Sequence, residues 1–124
     1  MKILIADNSI ELRERLVEML SELIGVEIVG QAKNAVETLD SISSLQPDTV
    51  LLDIKMPGGS GIEALKKIKA DYPSIRVIMF TNYPTAQHCK RCLDLGADFF
   101  LDKSTEFEKI PKILRQLARK FQSE

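Results

Sequence analysis

At 124 residues with 44% hydrophobic side chains, the chain has the size and composition of one globular domain with a single packed core. No apolar stretch approaches the roughly 20 residues of a membrane span, and the short apolar run at residues 1–6 stops at Asp7, which argues against a signal peptide and for a cytoplasmic location. The net charge of −1 hides an asymmetry: residues 1–62 carry five basic and ten acidic side chains, residues 63–124 twelve and eight. The basic excess is spread over three segments without a basic–aromatic pattern, so direct nucleic-acid binding is not expected.

Apolar runs alternate with amphipathic segments from end to end. Residues 2–6 read as a strand. The helix that follows shows Leu12, Leu16, Met19, Leu20 and Leu23 on one face, with Asn8 or Ser9 as N-cap and Gly25 as the stop. A second strand at 27–31 leads to a helix over 35–45 that shows Val36, Leu39, Ile42 and Leu45 and ends before Pro47. Strand 49–53 closes on Asp53 and runs into a turn containing Gly58, Gly59 and Gly61, read as glycines that permit positive φ rather than as a phosphate cradle. Helix 62–70, strand 76–81, helix 85–95 (closed by Gly96) and strand 99–101 follow. The last helix carries Phe107, Ile110, Leu114, Leu117 and Phe121. Pro111 either kinks it or marks its true first turn.

Strict βα alternation with short loops requires parallel strands and right-handed crossovers. Five units are too few for an eight-stranded barrel. The expected architecture is α/β, a flavodoxin-like open doubly wound sheet of order 2-1-3-4-5 with five flanking helices and one domain over 1–124. Neither repeats nor a linker interrupt it.

In that order the carboxyl ends of the strands share one rim. The first strand delivers Asp7 and Asn8, the third Asp53, the fourth Thr81 and the fifth Lys103. Each residue alone has an ordinary reading as a cap, a strand end or a surface charge, but together they make a constellation. Asp7, Asn8 and Asp53 supply hard oxygen donors, too few for calcium but suited to Mg²⁺, which keeps waters and binds through one or two carboxylates plus phosphate. An ammonium and a hydroxyl would hold phosphate oxygens, and an aspartate nucleophile yields an aspartyl phosphate.

Cys89 and Cys92 form a C-x-x-C beside His88, the single histidine. Zinc needs about four ligands, and a thioredoxin-like pair belongs at a helix start after an early strand. Here the motif lies inside a helical pattern, and core-facing or surface cysteines, with buried thiols packing as small hydrophobes, are expected rather than a redox pair.

Taken in order, the segments at residues 3–7, 51–58, 79–81 and 96–103 resemble the receiver domain of bacterial response regulators, over essentially the whole chain. The resemblance implies that Asp53 accepts a phosphoryl group from a phosphohistidine on a histidine kinase or histidine phosphotransfer protein. It places Asp7, Asn8, Asp53 and the backbone carbonyl of Lys55 around Mg²⁺, and Thr81 and Lys103 on the phosphoryl group. Phe100 matches the aromatic switch position, whose ring turns inward as Thr81 moves. The downstream partner would dock on the face of the fourth helix, fifth strand and fifth helix, and homodimers would be accessible. By the same resemblance, Lys55 and Tyr83 flank the site and would tune phosphoryl lifetime.

Three residues depart from the family pattern. Asn8 replaces the usual second acid, so weaker Mg²⁺ binding is expected. Ser104 stands where many members have a cis proline, so the Lys103–Ser104 bond is either trans or strained. Phe100 lacks the hydroxyl of members with Tyr and has an equal reading as a core aromatic. The competing function is a phosphorylation-independent pseudo-receiver, a protein-interaction module. An aspartate-dependent phosphohydrolase would need an acid two residues beyond Asp53, where Lys55 stands. The chain is therefore expected to be no enzyme beyond catalysing its own phosphorylation and dephosphorylation.

Overall fold

A computed structural model describes residues 1–82 and 84–123. The order is β1 (Lys2–Ala6), α1 (Ile10–Leu20), β2 (Glu27–Ala32), α2 (Ala35–Leu45), β3 (Thr49–Leu52), β4 (Lys55–Met56), β5 (Gly59–Ser60), α3 (Gly61–Asp71), β6 (Arg76–Thr81), α4 (Ala86–Asp94), β7 (Phe99–Asp102), a 3₁₀ turn (Phe107–Lys109) and α5 (Ile110–Ser123). The main sheet is parallel with strand order β2-β1-β3-β6-β7. This is the doubly wound order expected from the sequence, counting the five long strands.

The strands alternate with period two between two cores. Leu4, Val50, Leu52, Val77 and Met79 face a core with Ile42, Leu65, Ile68 and Cys92. Ile3, Ile5, Leu51, Ile78 and Phe80 face another with Leu16, Leu20, Ile110, Leu114 and Leu117. Burying both faces forces the near-continuous apolar runs of β1, β3 and β6. It also leaves the strand ends as the places where polar side chains collect.

Caps decide the helix starts. Ser9, not Asn8, caps α1, its Oγ accepting from Leu12 N at 3.2 Å. Asn34, Ser60 and Thr85 do the same for α2, α3 and α4. Pro111 falls in the first turn of α5, where a missing N–H costs nothing. The chain before it winds as a 3₁₀ turn carrying Phe107. Phe107 therefore leaves the α5 stripe and packs on Phe80, ring centroids 5.9 Å apart.

Some expectations are corrected. The face of α2 is rotated: Ala35, Thr38 and Ile42 point inward while Val36 is 60% exposed. A strict spacing of three drifts around a 3.6-residue helix, so Val36 and Ile42 do not share a stripe. Phe121 is also exposed, to 44%. The glycine turn after β3 is a small antiparallel hairpin, Lys55 pairing with Ser60 and Met56 with Gly59. Gly58 and Gly59 have positive φ (78° and 145°), but Gly61 does not. Gly61 serves close approach instead: a Cβ there would lie 1.8 Å from the backbone oxygen of Asp53.

Candidate functional site

The carboxyl rim gathers the residues that the sequence placed there. Asp7 follows β1, with its N–H donating to Ala32 O at 2.9 Å, and Asp53 follows β3, with its N–H donating to Ala6 O at 3.0 Å. These bonds continue the ladders one residue past the strands and hold both carboxylates in neighbouring positions. Thr81 ends β6, and its carbonyl accepts from the backbone N–H of Lys103 at 2.9 Å. Asp7, Asp53 and Thr81 are 2%, 5% and 0% exposed.

The Lys103 ammonium joins the two acids. It pairs with Asp7 Oδ2 and lies 3.1 Å from Asp53 Oδ2. Two buried carboxylates thus converge on one cation. The remaining oxygens differ: Asp7 Oδ1 is well held, accepting from Ser9 N at 2.8 Å, whereas Asp53 Oδ1 is lightly held, accepting from Lys55 N at 3.4 Å. Burial pushes the Asp53 carboxyl above the usual carboxylate range; Lys103 opposes that rise and the Asp7 charge adds to it.

Asn8 is exposed and stands at the mouth of an open crevice of about 730 Å³. Asp53, Lys55 and Lys103 line the same crevice, joined by residues the sequence did not single out: Glu11, Arg15 and Asn82 among them. Glu11 and Arg15 reach it because α1 starts at the rim, so its first turns flank the strand ends. The available signal for Glu11 was its place in the first turn of a helix that begins beside the first strand's carboxyl end. The hard-oxygen donor set, two carboxylates already sharing a cation beside an amide, fits Mg²⁺.

The loop after Lys103 holds without proline. Ser104 N and Oγ both donate to Asp102 Oδ1, at 2.9 and 2.6 Å, and Glu106 N returns to Asp102 O at 2.8 Å. The Lys103–Ser104 bond is trans. Phe100 is half-buried against the core on the α3 and α4 side. Tyr83 lies outside the described residues. The C-x-x-C splits: Cys92 is fully buried, with burial pushing its thiol up to about 11, and Cys89 is half-buried. Both thiols are free, and that high a value gives Cys92 almost no thiolate at neutral pH.

The fold and its rim define a doubly wound α/β domain with two buried carboxylates, a strand-end hydroxyl and a lysine shared between the acids. Residues 3–115 match the response regulator receiver domain. Response regulator protein VraR of Staphylococcus saprophyticus is 30% identical over 115 residues, which are 93% of this chain and 55% of that protein. Response regulator GacA of Pseudomonas syringae is 32% identical, over 92% of this chain and 53% of its own length. The response regulator domain of Thermotoga maritima CheB superposes with a TM-score of 0.83 at 31% identity, covering 97% of this chain and 94% of that one. The chain belongs to the receiver domains of response regulators, the signalling modules of two-component systems. It spans about half the length of the curated relatives it matches. Among the described residues, no helix is long and apolar enough to cross a membrane.

Proposed function

We propose that this domain, comprising residues 1–124, is a Mg²⁺-dependent phosphoacceptor switch in which Asp53 takes a phosphoryl group from the phosphohistidine of a histidine kinase or histidine phosphotransfer protein. The observation that carries the reading is the convergence of the buried Asp7 and Asp53 on Lys103, with Asp53 and Lys103 lining an open crevice. An Asp53 oxygen forms the new O–P bond as the P–N bond to the donor breaks, and the electron pair of that bond returns to the donor imidazole. Asp7, Asn8, Asp53 and the Lys55 carbonyl would hold Mg²⁺, which when bound offsets the repulsion between carboxylate and phosphoryl oxygens.

Lys103 then exchanges Asp53 for a phosphoryl oxygen, and the Thr81 hydroxyl donates to another. Because Lys103 N is bonded to Thr81 O, the ends of β6 and β7 respond together. Phe100, paired with Met79 in the same two strands, is the residue through which the change would reach the face made by α4, β7 and α5. A protein target, or a second copy of the domain, would read that face in the cytoplasm. No direct nucleic-acid contact is part of the proposal. Differential contacts in the two states are what shift the population.

The test is incubation with Mg²⁺ and acetyl phosphate, or with a phosphohistidine donor, followed by intact mass. The expected result is one added phosphoryl group, acid-stable and base-labile, absent in Asp53→Asn. Failure with both donors overturns the proposal in favour of a phosphorylation-independent interaction module.

A further inference from the structure

Asn8 leaves the rim one negative charge short, and the structure holds another carboxylate at the same crevice. Glu11 lies in the first exposed turn of α1 and lines the crevice with Asn8, Asp53 and Lys55. Its natural i+4 partner on the helix is Arg15. That guanidinium sits instead over the Phe107 ring, 4.4 Å from the centroid, a cation–π contact with the 3₁₀ turn. Among the described residues Glu11 forms no ion pair. A carboxylate with no ion pair in the lining of a candidate cation site is a source of field even without direct contact, and Arg15, drawn over Phe107, offsets only part of it.

We infer that Glu11 substitutes for the missing rim acid and would strengthen Mg²⁺ binding from outside the direct ligands. Mg²⁺ keeps several of its waters in protein sites, so a carboxylate in the outer shell is a normal partner. Among the described residues, no three acidic, histidine or cysteine side chains are arranged to ligate one ion directly. The contribution of Glu11 is therefore one of charge. The inference rests on the proposed Mg²⁺ role of the rim.

Glu11 also sits in the positive end of the α1 dipole. Its removal could thus lower helix stability without touching the metal, and the experiment separates the two effects. Mg²⁺ is titrated calorimetrically, without a phosphodonor, into the wild type, Glu11→Gln, Glu18→Gln, Asn8→Asp and the double variant Asn8→Asp/Glu11→Gln. Circular dichroism checks that each is folded. Glu18→Gln removes the same charge from an exposed position of α1 that does not line the crevice.

Glu11→Gln is expected to weaken Mg²⁺ binding about threefold to tenfold, and Glu18→Gln by less than about twofold. In the Asn8→Asp background, loss of Glu11 is expected to cost a clearly smaller factor, because a direct carboxylate has taken over the charge. Equal effects of Glu11→Gln and Glu18→Gln overturn the inference, as does an equal Glu11 effect in both backgrounds. A wild type that binds no Mg²⁺ overturns the functional reading as well, so the two failures are distinguishable.

Discussion

Each rim of the sheet carries a lysine–carboxylate cluster, and the two are used differently. At the amino rim, Asp98 Oδ2 accepts from Lys69 Nζ at 3.1 Å and from Val77 N at 2.8 Å, while Arg76 approaches Oδ1 at 3.7 Å. Lys69 also donates to Ile75 O at 2.6 Å. Backbone groups take part on both sides of this pair, Val77 N on the acid and Ile75 O on the lysine, so each partner is held by more than the other's charge. At the carboxyl rim one lysine is divided between two buried acids, and one of those acids is held above its usual range. The first cluster is a latch that ties α3, β6 and β7 together. In the second a single cation is shared by two acids, so a phosphoryl group that takes over one of its contacts leaves the other in place.

The contrast can be broken in several ways. The largest effect is expected at Gly61. The carboxyl rim is shaped by backbone packing as well as by ion pairs, and Gly61→Ala would push a methyl group into the Asp53 carbonyl. A loss of about 3 kcal/mol in urea unfolding is expected, together with slower labelling of Asp53. A neutral result would mean that the β5–α3 junction is free to shift.

Next is the latch itself. Asp98→Ala leaves Val77 N and the Lys69 ammonium short of an acceptor, and about 2–3 kcal/mol of stability should be lost. Because the latch is remote from the crevice, Mg²⁺ affinity of the folded fraction should be unchanged. A fall in affinity would show that the two rims are coupled.

The smallest effect has the opposite sign. Since the native Asp53 carboxyl holds its proton more tightly than in the unfolded chain, its stability contribution is complete below pH about 4. It is lost as pH rises through the ordinary carboxylate range to the raised native value. In Mg²⁺-free buffer, Asp53→Asn should therefore unfold at a higher urea midpoint than the wild type at pH 7. The two should converge at acid pH. A less stable Asp53→Asn at pH 7 would mean that the charged carboxyl rim, like the latch, is a net source of stability.

The strand order and the rim residues were legible in the sequence for one reason. In a doubly wound parallel sheet all strand carboxyl ends share an edge, so Asp7, Asp53, Thr81 and Lys103 needed only their places at strand ends to be brought together. The period-two burial of β1, β3 and β6 was legible for a related reason, since strands covered on both faces show as apolar runs. Other features depend on neighbours distant in the chain. That Ser9 rather than Asn8 caps α1 frees Asn8 to face the crevice. The inward face of α2 is set by its packing, and Gly61 is explained by the Asp53 backbone passing beneath it rather than by its own dihedral angle. The position of Arg15 over Phe107, which leaves Glu11 without its helical partner, joins α1 to a turn about 90 residues later. Local chemistry and strand pattern determined which residues reach the rim. Only tertiary packing decided how their charges are shared, because pairing in a buried cluster depends on which side chains the opposing elements bring within reach.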